Sequence, residues 1–184
     1  MPPVLLGDFN GFMKRLFLLR HAKSGWDNPG QDDFDRSLTR RGRLSAPLMG
    51  RHMQHLGYAP SIALCSPARR AQETWRLVRD ALAGQTAEEM RPELYLPDPR
   101  TMLGTIREIG NAHPSAIVIS HNPGTLALAL GLMSNRAQSA NPFGEYPTAA
   151  LTVFDFAVEA WTDVHPGEGQ LIGFTRPKEL DAAA

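Results

Sequence analysis

A chain of 184 residues with 42% apolar and 21% charged residues is long enough for one domain with a full core. Its 19 basic and 19 acidic residues cancel, so no global field draws in nucleic acid or an anionic membrane, and neither is an expected partner. The single cysteine, Cys65, excludes an intrachain disulfide and an all-cysteine metal site.

No apolar stretch approaches the roughly 20 residues that span a bilayer. Arg20 interrupts the early apolar run, and no small-residue cleavage site follows, so the cytoplasm is the expected compartment. Residues 1–12 contain two prolines and two glycines without periodicity and read as a loosely packed extension. Residues 13–184 then form a single domain.

Leu16-Phe17-Leu18-Leu19 is too short for a helix and reads as a strand buried on both faces, ending in Arg20-His21. Asp27 to Arg36 is polar, with Pro29-Gly30 and several aspartates, and reads as a solvated connection. Thr39 is a natural N-cap for a helix to about Leu56, closed by Gly57. Leu44, Leu48, Met49, Met53 and Leu56 recur along it at helical spacing as its core face. Pro47 is expected to kink that helix or to mark its true start.

Ser61–Cys65 reads as a second strand, with Cys65 a small buried hydrophobe. Ser66-Pro67 precede a helix to about Leu82 with Trp75, Leu77 and Val78 on its core face. Leu94-Tyr95-Leu96 is a short apolar piece between prolines, and Pro99 opens a helix carrying Met102, Leu103, Ile106 and Ile109. Ala116–Ser120 is a third buried strand ending in His121-Asn122. An apolar helix to about Leu132 and an Asn-, Pro- and Gly-rich excursion over 134–147 follow. Ala149–Phe156 and Gln170–Phe174 close the chain as strands, with Trp161 packed between them. Alternating strands and helices imply an α/β three-layer sandwich, a mainly parallel sheet with helices on both faces.

Three buried strands thus end in Arg20-His21, in Ser66 followed by Arg69-Arg70, and in His121. In one parallel sheet these groups converge on the carboxyl edge, where α/β sheets place ligands. Two histidines and two arginines without a carboxylate repel a metal ion, so neither a metal nor another cofactor is expected. They suit a phosphoryl group, which arginines clamp and a neutral histidine attacks.

Arg20-His21-Ala22-Lys23-Ser24-Gly25-Trp26-Asp27 resembles the Arg-His-Gly-x-Ser-x-Trp-Asn motif of the histidine phosphatase superfamily, the phosphoglycerate mutase-like fold. Leu38-Thr39-x-x-Gly42, Ser66-x-x-x-Arg70-Ala71-x-x-Thr74 and Ser120-His121 resemble its further motifs in the same order. The compact length and the Arg-His-Ala-Lys-Ser-x-Trp form resemble the small SixA-type phosphohistidine phosphatases. The resemblance implies His21 as nucleophile and Arg20, Arg70 and His121 as the rest of the phosphate pocket. It selects Arg70 over Arg69 and places Ser24 near the pocket.

Two positions depart from the family pattern. Asp27 stands where Asn is usual and is expected to point away or to pair with Lys23. The Leu-x-Glu that carries the general acid of larger members becomes Leu94-Tyr95-Leu96, leaving Glu93 and Asp98 as possible substitutes. An alkoxide leaving group benefits by ~10²–10⁴ from an acid, whereas the labile P–N bond of phosphohistidine needs less help. The resemblance therefore implies a metal-independent hydrolase acting on phosphohistidine in a protein partner. A phosphomonoesterase of small phosphorylated substrates and a non-catalytic phosphate-binding module are the alternatives.

Overall fold

The computed structural model describes residues 13–26, 28–82, 84–133 and 141–181. The expectations for residues 1–12 and for Asp27 lie outside these. In chain order the elements are β1 (Lys14–Arg20), α1 (Arg40–His55), β2 (Ile62–Cys65), α2 (Arg69–Arg79), β3 (Ala87–Met90) and α3 (Pro99–Arg107). Then come β4 (Ser115–Ser120), α4 (Gly124–Leu132), β5 (Leu151–Phe156), β6 (Gln170–Thr175) and α5 (Pro177–Asp181).

The strands form one mixed sheet ordered β3-β2-β4-β1-β5-β6. Neighbours from β3 through β1 pair in parallel, while β5 runs antiparallel to β1 and β6 antiparallel to β5. Alternate residues of β1 enter different cores because a strand's side chains alternate between faces. Leu16 and Leu18 pack with Met102, Leu103 and Ile106 of α3 and Leu128 of α4. Phe17 and Leu19 pack with Met49 and Met53 of α1 and Trp75 and Val78 of α2. Helices therefore cover both faces, as the apolar run of β1 requires.

Two details of α1 differ from the periodicity reading. Pro47 lies inside the helix and does not mark its start. The buried stripe is Gly42, Ala46, Met49, Gly50 and Met53, while Leu44 is 64% exposed and Leu56 is also exposed. The cause is close packing on α2, since a Cβ on Gly50 would lie 2.5 Å from the Val78 carbonyl oxygen. Small residues hold that face, and Leu44 falls off it. Strand β3, Ala-Glu-Glu-Met, is exposed throughout. It is an edge strand held by backbone pairing, and its glutamates discourage further pairing.

Candidate active site

The sheet register assembles the site. Arg20 of β1 lies opposite Ser120 of β4, so the next residues, His21 and His121, emerge side by side with ring centroids 5.0 Å apart. Cys65 of β2 lies opposite Ile119, and Ser66 follows it. Its Oγ is 2.7 Å from His121 Nε2.

A hydrogen bond to a carbonyl fixes the tautomer of His21. His21 Nδ1 lies 2.8 Å from the Ala22 carbonyl oxygen, which only accepts. Nδ1 therefore carries the hydrogen, and Nε2 keeps its lone pair. Ser66 Oγ accepts from the Ala68 N–H at 3.4 Å and shares a hydrogen bond with His121 Nε2.

The backbone after His21 is fastened from two sides. Ala22 N–H donates to Thr74 Oγ1 at 2.9 Å, and Thr74 Oγ1 donates to the Arg70 carbonyl at 2.6 Å. The Thr39 N–H and hydroxyl both donate to the Lys23 carbonyl, at 2.9 and 3.1 Å. Gly42 lies so close that a Cβ there would sit 2.2 Å from the same oxygen.

Arg70 is 1% exposed, and Arg69 sits at the surface paired with Glu73 at 2.9 Å. Arg70 Nη1 and Nη2 donate to the Asp33 backbone oxygen and Oδ2 at 2.5 and 2.9 Å. Arg20 Nη1 donates to the Tyr146 carbonyl at 2.8 Å. Arg20 Nε, Arg70 Nε, His121 Nδ1 and the acceptor Asn122 Oδ1 are buried and find no hydrogen-bond partner among the described residues. All four residues line one open cleft of about 210 Å³, together with His21, Ser24 and Arg36. Buried N–H groups left unpaired around one space mark an anion site, because leaving a donor unmade is costly.

The description "Histidine phosphatase superfamily (branch 1)" matches residues 16–94. An uncharacterized protein of Mycobacterium tuberculosis is 33% identical over 164 residues, which cover 87% of this chain and all of that protein. The chain belongs to the histidine phosphatase superfamily. An acid phosphatase of Mycobacterium tuberculosis is 30% identical over 155 residues, 75% of this chain and 74% of that enzyme. A solved structure from Agrobacterium tumefaciens, assigned as the phosphohistidine phosphatase SixA, has a TM-score of 0.77 at 28% identity. That match covers 89% of this chain and 98% of the other. The fold is the phosphoglycerate mutase-like α/β fold of this SixA neighbour.

Within this superfamily site, neither sequence-expected acid lies in the cleft. Asp98 caps α3, accepting from the Arg100 and Thr101 N–H groups at 2.8 and 3.1 Å and from the Thr101 hydroxyl at 2.8 Å. Glu93 is exposed and faces Arg91 at 3.5 Å. The carboxylate that lines the cleft is Asp33, held by Arg70, by the Tyr95 hydroxyl at 2.9 Å and by Arg36 at 2.9 Å. Asp33 and Arg36 come from the stretch read as a solvated loop. The available signal is an arginine two residues ahead of the matched Leu38-Thr39 motif. Leu96, 54% exposed with φ +47°, lines the cleft, and Trp26, 62% exposed, packs its ring 4.7 Å from the Arg36 guanidinium.

Burial pushes the Asp33 carboxyl up, but hydrogen bonds from Tyr95 and Arg70 and the charges of Arg70 and Arg36 outweigh it and hold it below its usual value. It is a carboxylate at neutral pH. Burial first, then the charges of Arg70, Arg20 and Arg36, outweigh the Ala22 hydrogen bond and lower His21 to about 3. The sequence suggests the same direction from the arginines, but burial is the larger cause. Burial also lowers His121, followed by His21 and Arg70. Both rings are neutral at pH 7.

These depressed values predict an acid-labile fold. Between about pH 6.5 and 3 the unfolded chain protonates both histidines while the folded chain does not. Their stabilisation is full above pH 6.5 and is lost as the pH falls. The expected loss is about 3 kcal/mol for the pair between pH 6.5 and 5, where most carboxylates remain ionised. Urea titrations across that range measure it. Stability that stays flat from pH 6.5 to 5 would contradict neutral burial of the pair.

Proposed function

We propose that the chain is a phosphatase with a phosphohistidine intermediate that acts on phosphohistidine in a protein partner. His21 is the nucleophile, and Arg20, Arg36, Arg70 and His121 bind the phosphoryl oxygens with Ser24 at the margin. His21 Nε2 attacks phosphorus, and the new N–P bond forms as the substrate's P–N bond breaks, its electron pair leaving with the substrate imidazole. With its distal nitrogen already protonated, that imidazole departs neutral and needs no proton at the scissile atom. Water then attacks phospho-His21, the pair returns to Nε2, and inorganic phosphate leaves. His121 Nδ1–H donates to a phosphoryl oxygen as the neutral tautomer.

The carrying observation is the state of Asp33. Among the described cleft residues it is the one carboxylate, and Arg70, Arg36 and Tyr95 hold it ionised. An ionised carboxylate cannot protonate an alkoxide, which favours a leaving group that needs no acid. The exposed Leu96 in the cleft wall, with the exposed Trp26 beside Arg36, suits a side chain presented by a protein surface.

A small phosphomonoester is the second reading, and Asp33 also motivates it. A bound phosphate dianion would take over the arginines and raise the Asp33 carboxyl, turning it into the acid that Leu94-Tyr95-Leu96 lacks. One experiment separates them. A phosphohistidine protein, a phosphoramidate and a panel of phosphate esters are compared on the wild type and on Asp33→Asn. The phosphohistidine reading expects turnover of the P–N substrates to dominate and to persist in Asp33→Asn. Ester turnover that dominates and falls ~10²-fold or more in Asp33→Asn supports the second reading. Activity is expected to survive exhaustive chelation, since fixed cations neutralise the phosphoryl group.

A further inference from the structure

Beside the phosphate cleft lies a second, smaller one of about 60 Å³. Lys23, Arg41, Ser45, Thr148, Arg176 and Lys178 line it, and Lys23 and Thr148 line both clefts. The two spaces therefore share a wall. Four cations and no carboxylate line the second cleft, in a chain whose formal net charge is zero. Glu179 offsets one of them through its ion pair with Arg176 at 2.5 Å. Lys23, Arg41 and Lys178 are exposed.

The placement of Arg41 carries a local cost. The first turn of α1 holds Arg40, Arg41 and Arg43 and no acidic residue. Positive charge there opposes the helix dipole, which favours acidic residues at an N-terminus. Arg43 is used in the fold, its Nε donating to the Leu38 carbonyl at 3.2 Å. Arg41 faces the second cleft instead. A local preference broken without a structural return is what a binding role produces.

Resting on the phosphatase reading above, we propose that this basic cleft binds a second anionic group, a carboxylate or a phosphate, carried by the same phosphorylated substrate. The primary cleft takes the phosphoryl group that reacts, and the second cleft selects substrates with a further negative charge at short reach. It acts on binding and not on the chemical step, so its signature is a lower KM with kcat little changed.

The test uses the whole chain and an Arg41→Ala/Lys178→Ala double variant. Methyl phosphate is compared with alkane bisphosphates of stepped length. Phosphohistidine peptides with one Asp or Glu stepped along them are compared with peptides carrying none. The wild type is expected to prefer the two-anion member of at least one series by about tenfold in KM. The double variant should reduce that ratio to about one, in line with two partly exposed ion pairs. The series that shows the preference distinguishes a phosphate from a carboxylate source. A wild type without the preference, or a double variant that keeps it, overturns the proposal.

Binding calorimetry with methyl phosphate and the bisphosphates reads the same ratio without turnover. A bisphosphate preference removed by the double variant, in a chain that hydrolyses nothing, would defeat the phosphatase reading and support the subsite. Equal affinities in the wild type, together with no preference for the acidic peptides, would defeat the subsite alone.

Discussion

His21→Ala is expected to abolish turnover, with a loss of about four orders of magnitude or more, and to remove all covalent label. The proposed chemistry passes through an N–P bond to His21 Nε2, the lone pair left free when Nδ1 bonds the Ala22 carbonyl. Without that nitrogen the arginines still bind phosphate but have nothing to receive it. Labelled substrate, quenched rapidly under alkaline conditions because the P–N bond is acid-labile, should place phosphate on His21 in the wild type. His121 has its Nε2 engaged with Ser66 and should remain unlabelled. Label on His121, or near-normal turnover by His21→Ala, would refute the assignment. Phosphate affinity of the variant separates lost chemistry from lost fold, because a folded cleft keeps its cations.

The second large effect concerns Arg70. Arg70→Ala is expected to lower kcat/KM by ~10³–10⁵, the range a transition-state arginine supplies in phosphoryl transfer. Arg70→Lys should recover little. The guanidinium is fixed by two bonds to Asp33 and presents Nε separately, a geometry an ammonium cannot copy. Arg69→Ala is the control, since Arg69 is exposed and paired with Glu73. Its turnover should stay within about twofold of wild type, as a surface pair contributes little. A loss in Arg69→Ala comparable to that in Arg70→Ala would mean that the four-residue offset from Ser66 selects the wrong residue.

The parts of the site legible in the sequence are those attached to buried strands. Apolar runs place β1, β2 and β4 without ambiguity, and the residues ending them fall together because the parallel register is nearly flush, with Arg20 beside Ser120. Asp33 and Arg36 were not legible. Their stretch is polar, has no periodicity, and forms only one short 3₁₀ turn, Asp33–Asp35. It turns inward because Arg70 and Tyr95 bind its aspartate, a contact that local composition does not encode. Strand β3 was invisible for a related reason, since its exposed edge needs no apolar face. In α1 the periodicity was real, yet leucines were given a face that Gly42, Ala46 and Gly50 hold. Hydrophobicity marks candidates for burial, but it does not show where two backbones must nearly touch.

Gly42 is one such place, and its position has implications for how the chain tolerates change. A single methyl there would meet the Lys23 carbonyl at 2.2 Å. That carbonyl belongs to the residue after Ala22, whose own oxygen sets the His21 tautomer. Gly124 is similar, with a Cβ placed 2.2 Å from the Pro97 carbonyl, one residue past Leu96 at the cleft margin. Neither glycine touches the phosphate cleft, so a survey of contacting residues would pass over both. In a population of random variants, alanine at either position would be scored as an enzyme defect while every reacting group remained intact. The chain thus carries part of its catalytic precision in two absent side chains.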